Sequence, residues 1–264
     1  MEGNMDLQLN GKTAVVTGAS RGIGLATVRR LTAEGVRVVG AARKPTAELE
    51  ATGAVPVAVD LAAPEGAAEL VERATAELGG IDLLVNNVGG GDAVDIGGFA
   101  DIDDAHWRGV FDLNLFAAVR VTRAALPFLT DGGGAIVNVS SIGARRPAGP
   151  PLAYHVAKAA LTAFGKGLSE ELGPQGVRVA TVSPGPVRTD IWEAPDGFGG
   201  KLAAAVALEQ SEFLNHVPAR MGMVTGRITE PDEVAALITF LLSDVAGSIT
   251  GSDHLIDGGI IKSV

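Results

Sequence analysis

The sequence contains no cysteine and few aromatic residues, with eight Phe, two Trp and a single Tyr among 264 residues. Without cysteine the chain can have no disulfide bond, no thiolate metal ligand and no cysteine nucleophile. Long apolar runs are also missing, because the longest unbroken one, Leu202–Leu208, is far shorter than the ~18 residues that a membrane span needs. The sequence therefore predicts a protein without membrane partners.

Basic residues are also fewer than acidic residues. The chain has 21 Lys and Arg against 31 Asp and Glu, which gives a net charge of −10. A nucleic-acid partner is not expected, because such binding depends on basic patches. Residues Met1–Asn10 show neither the basic region nor the apolar region of a secretory signal, so we expect a cytoplasmic protein.

Glycine, in contrast, is abundant: 36 of the 264 residues are Gly, about twice the ~7% that is usual. Short apolar runs such as Ala14–Val16 and Leu83–Val85 alternate with segments of helical periodicity. Strands that are apolar without interruption are typical of a parallel sheet that is covered on both faces. We therefore predict one α/β domain over residues 1–264, a Rossmann-type, doubly wound, mostly parallel seven-stranded sheet with helices on both faces.

The pattern also predicts where the elements lie. Helices are expected at about Gly22–Ala33, Pro64–Leu78, Ala105–Leu129, Pro151–Leu172 and Pro231–Leu242. Strands are expected at Thr13–Thr17, Arg37–Ala42, Val55–Asp60, Asp82–Asn86, Ala135–Ser141, Val177–Val182 and about His254–Ile256. Residues 191–229 break this rhythm, and an irregular insertion of that length is more often functional than structural filler.

A glycine-rich segment, Thr17–Gly24, joins the first strand to the first helix. Gly18 permits a tight turn, Gly22 permits close approach to a pyrophosphate, and Gly24 permits close packing of helix and strand. The helix N-terminus then offers free N–H groups and a positive dipole to phosphates. Dinucleotide binding is the favoured interpretation, and a plain turn between strand and helix is the alternative.

The single tyrosine, Tyr154, precedes Lys158 by four residues, which places both on one face of a helix. A nearby ammonium group favours the phenolate, and a Tyr so tuned can exchange a proton with a carbonyl or hydroxyl group. The alternative is a surface Tyr beside an incidental Lys. By itself, Ser141 at a predicted strand end indicates only a turn. Asn114 inside a predicted helix indicates only a possible kink.

Taken together, these motifs resemble the short-chain dehydrogenase/reductase family over about residues 10 to 260. The resemblance implies a catalytic set of Asn114, Ser141, Tyr154 and Lys158, and it implies that Ser140 is not catalytic. Tyr154 would be the general acid, Ser141 would bond the substrate oxygen, and Lys158 would lower the pKa of Tyr154 and hold the nicotinamide ribose. Asn114 would hold a water that links the lysine to solvent.

The same resemblance implies the cofactor contacts. Asp60 and Leu61 would meet the adenine, Asn86–Gly89 would lie beneath the cofactor with Val88 in place of the usual Ala, and Pro184–Thr189 would hold the nicotinamide amide. The full predicted set of cofactor-binding residues is Gly18, Ser20, Arg21, Gly22, Ile23, Gly24, Arg43, Asp60, Leu61, Asn87, Gly89, Tyr154, Lys158, Pro184, Gly185, Val187 and Thr189.

The end of the second strand predicts NADP(H) rather than NAD(H). An NAD enzyme places an acidic residue there to bond the ribose 2′-hydroxyl, and this chain has Ala42. Arg43 follows, and Arg21 lies in the glycine-rich segment, so two guanidinium groups can clamp a 2′-phosphate. The alternative is that both are solvated surface charges. No metal is expected, because no two of the four His have a metal-ligand spacing.

On the substrate side, the resemblance makes residues 191–229 a mobile lid. Its apolar residues either suggest a hydrophobic or bulky ketone or simply pack the lid: Trp192, Phe198, Phe213, Leu214, Met221 and Met223. Gly89–Gly91 would leave room beside the nicotinamide. Arg145 and Arg146 either meet a substrate carboxylate or an acidic carrier protein, or they are solvated.

The function predicted from the sequence is NADPH-dependent reduction of a small-molecule ketone to a secondary alcohol. Two alternatives stay open, namely an alcohol dehydrogenase that works oxidatively with the same residues and a non-catalytic scaffold that senses NADP(H). The resemblance also implies a homo-oligomer, a tetramer or a dimer, formed through helices at Val110–Leu129 and Ala153–Leu168.

Overall fold

A computed structural model describes residues 5–90 and 97–263. These residues contain a seven-stranded sheet in the order β3-β2-β1-β4-β5-β6-β7, and every neighbouring pair is parallel. The strands are β1 (Thr13–Thr17), β2 (Arg37–Ala42), β3 (Val55–Ala58), β4 (Leu83–Asn86), β5 (Gly134–Val139), β6 (Val177–Pro184) and β7 (Asp253–Ile256). The predicted Rossmann-type fold class is confirmed.

The connections between strands are mostly helical, as expected for parallel neighbours. The helices are α1 (Gly22–Ala33), α2 (Ala47–Glu50), α3 (Gly66–Leu78), α4 (Asp104–Phe111), α5 (Ala117–Leu129), α6 (Leu152–Leu172), α7 (Asp190–Glu193), α8 (Phe198–Ala205), α9 (Gln210–Met221) and α10 (Pro231–Leu242). Short 3₁₀ helices lie at Phe99–Asp101, Ile142–Ala144, Gly173–Gln175 and Asp244–Ala246. None of the helices in the described ranges is long and apolar enough to cross a membrane.

Two apolar cores explain why the strands read as unbroken apolar runs. In β1, Ala14 and Val16 face a core shared with α1 and α10, whereas Val15 faces a core shared with α3 and α5. Because successive side chains of a strand point to opposite faces, a sheet that is covered on both faces needs an apolar residue at almost every position.

The strand order reverses between β1 and β4, and open α/β sheets bind ligands at such a switch point, beyond the carboxyl ends of the strands. Thr17 joins the two segments there. Its hydroxyl oxygen accepts hydrogen bonds from the backbone N–H groups of Asn87, at 2.9 Å, and Val88, at 3.0 Å. The segment after β4 is therefore held beside the glycine-rich segment after β1.

Several local predictions differ from the structure. Strands β3 and β5 end at Ala58 and Val139, two residues earlier than predicted, and β6 ends at Pro184, two residues later. Strand β3 stops where its neighbour β2 stops, because Ala58 pairs with Ala42, the last residue of β2. The predicted helix over 105–129 is interrupted by a π-helical turn at Asp112–Phe116. The segment predicted to be irregular over 191–229 is largely helical, since it contains most of α7 together with α8 and α9.

Candidate active site

A cavity of about 1040 Å³ opens beyond the carboxyl ends of the strands. Its walls come from the glycine-rich segment, the ends of β2, β4, β5 and β6, and the start of α6, with α7, α8 and the end of α9 above. The residues that the sequence predicted for catalysis or cofactor binding line this cavity, except Gly24, Asn86, Asn114 and Arg188. Residues far apart in the sequence thus converge on one site.

Tyr154 and Lys158 lie on α6, one turn apart, at the wall of the cavity. The Lys158 Nζ atom is 5.7 Å from the centre of the Tyr154 ring and donates a hydrogen bond to the Val139 carbonyl oxygen at 2.8 Å. Ser141 caps the N-terminus of the 3₁₀ helix after β5, where its hydroxyl oxygen accepts the Gly143 N–H at 3.1 Å. The Ser141 and Tyr154 hydroxyl groups are hydrogen-bonded to each other. The arrangement places a phenol, a hydroxyl and a buried ammonium group together.

The pKa of Tyr154 is raised above its ordinary value. Burial disfavours the charged phenolate, and the hydrogen bond from Ser141, which lowers the pKa, does not offset that effect. Any lowering of the Tyr154 pKa by Lys158 is therefore outweighed by burial in the protein on its own. The phenol is protonated at neutral pH, which is the state that a general acid requires.

The pKa of Lys158 is lowered to about 8, because burial disfavours its ammonium form. Lys158 is only 2% exposed, and its hydrogen bond to a neutral carbonyl compensates that burial in part. The lysine therefore carries its positive charge at neutral pH and loses it in mildly alkaline solution.

Ser140 is a positioning residue that the sequence did not reveal. Its hydroxyl donates to the Lys158 carbonyl oxygen at 3.0 Å and lies 2.8 Å from the Thr162 hydroxyl, so it attaches the end of β5 to α6. Consecutive residues in extended backbone point to opposite sides, which is why Ser140 faces the helix while Ser141 faces the cavity. The adjacent serines Ser140 and Ser141 were the only feature of the sequence that could have indicated this role.

Asn114 lies in the π-helical turn, is 1% exposed and sits behind the cavity wall. Its side-chain amide donates to the Val110 carbonyl oxygen at 3.0 Å, and its Oδ1 atom accepts the Gly90 N–H at 3.0 Å. A π-helical turn inserted in an α-helix frequently marks a functional site. Here it lets Asn114 hold the backbone of Gly90, which itself lines the cavity. The predicted kink at Asn114 thus takes the form of this turn.

Several predicted glycines are required by packing within the protein. A Cβ atom on Gly24 would lie 2.1 Å from the Gly18 carbonyl oxygen, and one on Gly89 would lie 2.8 Å from Asn114 Oδ1 and 2.9 Å from Lys158 Nζ. One on Gly185 would lie 2.9 Å from the Asp257 Cα atom. For these three positions, close approach to a cofactor is not needed to explain the residue.

The glycine-rich segment nevertheless fits a dinucleotide. Gly18 and Gly22 have φ angles of +66° and +54°, a backbone conformation that side chains disfavour. No side chain caps the N-terminus of α1, and Gly22 and Ile23 in its first turn line the cavity. Uncapped N–H groups at a helix N-terminus are a favourable site for a pyrophosphate.

The cavity is also lined by Ala42, the last residue of β2, and by Arg43 and Lys44, which follow it. Lys44 is a second cation there that the sequence analysis did not single out. Arg21, in contrast, forms an ion pair with Asp190 at 2.9 Å, between the glycine-rich segment and the start of α7. Both partners are exposed, so this pair is weak. Of the two guanidinium groups that the sequence proposed as a phosphate clamp, one is thus already engaged.

Some apolar residues of the segment 191–229 line the cavity, and others pack the helices of this segment. Trp192 and Phe198 pack edge to face with ring centres 5.4 Å apart, and both line the cavity together with Met221. Phe213 and Met223 are each only 6% exposed and do not line it, so they support the helices. Gly89 and Gly90 also line the cavity, whereas Gly91 lies outside the described residues.

The chain resembles known proteins over almost its whole length. A family model described as enoyl-(acyl carrier protein) reductase matches residues 18–261. Human L-xylulose reductase is 36% identical, with 97% of this chain and 98% of that protein covered. An uncharacterized oxidoreductase of Bacillus subtilis, YvrD, is 34% identical, with coverages of 98% and 100%.

Solved structures of similar proteins lead to the same family. L-Sorbose reductase from Gluconobacter frateurii, complexed with NADPH and L-sorbose, superposes with a TM-score of 0.89 at 33% identity, with 98% of this chain and 100% of that chain covered. A short chain dehydrogenase from Burkholderia cenocepacia in complex with NADP has a TM-score of 0.81 at 32% identity, with coverages of 96% and 99%. The chain therefore belongs to the short-chain dehydrogenase/reductase family, oxidoreductases that interconvert carbonyls and alcohols with a nicotinamide cofactor.

Proposed function

We propose that this protein reduces a ketone to a secondary alcohol with NADPH. The observation that carries the proposal is the hydrogen-bonded pair of Ser141 and Tyr154, at the cavity wall and beside the buried Lys158. The chemistry that NADPH supplies when bound is hydride transfer to the carbonyl carbon. The residues of the chain bind and orient the substrate oxygen and deliver a proton to it.

In this mechanism Tyr154 is the general acid. Its raised pKa keeps the phenol protonated until the carbonyl oxygen becomes basic, and the phenol proton then passes to that oxygen. Ser141 donates a hydrogen bond to the same oxygen as negative charge develops on it. The Lys158 ammonium stabilises the phenolate that remains and holds the nicotinamide ribose. Asn114 supports return of a proton from solvent through a bound water.

The cofactor preference is proposed from charge. Arg43 and Lys44 line the end of the cavity beyond β2, where Ala42 stands in place of an acidic residue. Two cations and no neighbouring carboxylate on that strand end favour a 2′-phosphate over a 2′-hydroxyl. The NADPH complex of the sorbose reductase and the NADP complex of the Burkholderia protein are consistent with this preference.

Residues 191–229 are proposed to cover the substrate as a lid within a single domain. The apolar side chains that this segment contributes to the cavity suit an apolar or bulky ketone. A homo-oligomer remains our proposal for the quaternary structure. Phe116 and Val156, on the two stretches of chain that the resemblance assigns to subunit contacts, are 43% and 37% exposed, which is consistent with it.

A panel of ketones and alcohols tests the proposed function. With purified protein and NADPH, we expect loss of nicotinamide absorbance with at least one ketone. Efficient oxidation of alcohols with NADP⁺, but no ketone reduction, would favour the oxidative alternative. Tight NADPH binding without turnover of any panel member would favour the sensing scaffold, in which Ser141 has no evident use.

The pH dependence of the reaction is predicted from Lys158. Its pKa of about 8 means that the ammonium form dominates below that pH and the neutral amine above it. Since the cation contributes to cofactor binding, kcat/KM for NADPH is expected to fall as the pH rises through about 8, because this parameter reports ionisations of the free enzyme. A Lys158→Arg variant keeps its charge, so any activity that it retains should lack this fall. A flat profile for the unmodified protein between pH values of about 7 and 9 would contradict the assignment.

A further inference from the structure

Besides Arg43, which the proposed function assigns to the 2′-phosphate, two arginines on the cavity wall have no anionic partner in the described residues. Arg146 and Arg220 both line the cavity, and within residues 5–90 and 97–263 neither forms an ion pair. Arg145, the neighbour of Arg146, is different, because it pairs with Asp253 at 2.9 Å. The Arg220 guanidinium lies 5.7 Å from the centre of the Phe213 ring, an arrangement that holds the cation without neutralising it.

The segments that carry these residues assign both arginines to the substrate end of the cavity. Arg146 follows Ser141 by five residues, in the segment that leads into α6, and Arg220 lies in the last turn of α9, beside Met221. Among the described lining residues, the carboxylates are Asp60, at the end proposed for adenine, and Asp190, which pairs with Arg21. The substrate end therefore carries positive charge that no described carboxylate of the wall neutralises.

Part of the wall of the same cavity is apolar. It is contributed by Ile191, Trp192, Phe198, Leu202 and Met221. A cavity that combines an apolar wall with two unpaired guanidinium groups suits a molecule with an apolar body and an anionic end. Arginine presents a planar fork of donors that matches a carboxylate, so such a pair both attracts and orients it.

We propose that the ketone reduced at this site carries a carboxylate, remote from the carbonyl group, that is bound by Arg146 and Arg220. This inference rests on the proposed function and adds the substrate class to it. The net charge of −10 makes local cations more important, since the field of the whole protein repels an anionic substrate. The apolar part of the oxo acid then lies along the wall formed by α7 and α8, with its carbonyl oxygen at Ser141 and Tyr154.

Paired substrates test this inference. The probes are methyl-ketone acids of increasing chain length, beginning with levulinate, each compared with its own methyl ester in the presence of NADPH. At low ionic strength we expect kcat/KM for the best acid to exceed that for its ester by about tenfold or more, a ratio typical of one or two charge-assisted hydrogen bonds. Added salt should reduce this advantage, because the arginines are exposed.

Arginine variants assign the effect to these residues. Arg146→Met and Arg220→Met should each lower kcat/KM for the acid about five- to tenfold through KM, with little change for the ester. Arg220→Lys should retain part of the acid preference. Arg29→Met is the matched control, because Arg29 is exposed, does not line the cavity and has no described ion pair, so both substrates should be unaffected.

The outcomes separate this inference from the proposed function. If esters and acids are reduced equally well, or if the variants impair both equally, the carboxylate site is overturned and the ketone reductase stands. If no ketone is reduced, the proposed function fails, and calorimetric titration of the same acids into the NADP⁺-loaded protein decides the inference. Binding that Arg146→Met or Arg220→Met weakens would support it, and binding that is absent or unaffected would overturn it.

Discussion

Replacing Tyr154 with phenylalanine is expected to lower kcat for ketone reduction by at least about a hundredfold, the range that a general acid contributes. The dissociation constant for NADPH should change little, because the substitution removes a hydroxyl group and keeps the ring. That ring lies edge-on to His155, with ring centres 6.0 Å apart, and phenylalanine preserves this packing. Turnover should be followed by nicotinamide absorbance and cofactor binding by fluorescence titration.

Two measurements distinguish a loss of catalysis in this variant from a folding defect. The variant should unfold at nearly the same temperature as the unmodified protein, since the lost hydroxyl is hydrogen-bonded to Ser141 at the edge of a cavity. Because Tyr154 is the only tyrosine in the chain, the absorbance change of tyrosinate at alkaline pH reports this residue alone. Its midpoint should lie above the ordinary value of about 10. Substantial turnover by the phenylalanine variant would refute the role of Tyr154.

Exchanging the charges at the end of β2 is expected to reverse the cofactor preference. The unmodified protein should use NADPH at least about a hundredfold more efficiently than NADH, since charge-assisted bonds from a guanidinium to a phosphate contribute about 2–3 kcal/mol. The double substitution Ala42→Asp with Arg43→Ala removes one such cation and adds a carboxylate that repels the 2′-phosphate. The same carboxylate can accept a hydrogen bond from the 2′-hydroxyl of NADH.

The measurement is the ratio of kcat/KM for the two cofactors with one ketone. Arg21→Ala should change this ratio less than Arg43→Ala, because Arg21 is engaged with Asp190. Arg123→Ala serves as the control, because Arg123 is exposed on α5 and does not line the cavity. Equal efficiency of the unmodified protein with NADH and NADPH would refute the proposed preference.

Most of the fold was predictable because its determinants are local or periodic. Strands such as β1 are unbroken apolar runs, since both faces of the sheet are buried, and the helix α10 was located to the residue. The strand ends were less accurate. Whether β5 ends at Val139 or Ser141 depends on where the chain first turns, and the hydrogen bond from Gly143 to Ser141 that begins this turn has no strong sequence signal.

The sequence by itself predicted a set of residues most of which line the cavity, because the glycine spacing and the Tyr–Lys pair one helical turn apart are features of the linear pattern and carry the family resemblance that implies the rest. The tertiary structure alone decided what surrounds them. Burial sets the direction of the pKa shifts of Tyr154 and Lys158, and burial depends on segments distant in the sequence. In the same way, only packing shows that Arg145 is neutralised by Asp253 while Arg146 is left unpaired on the cavity wall.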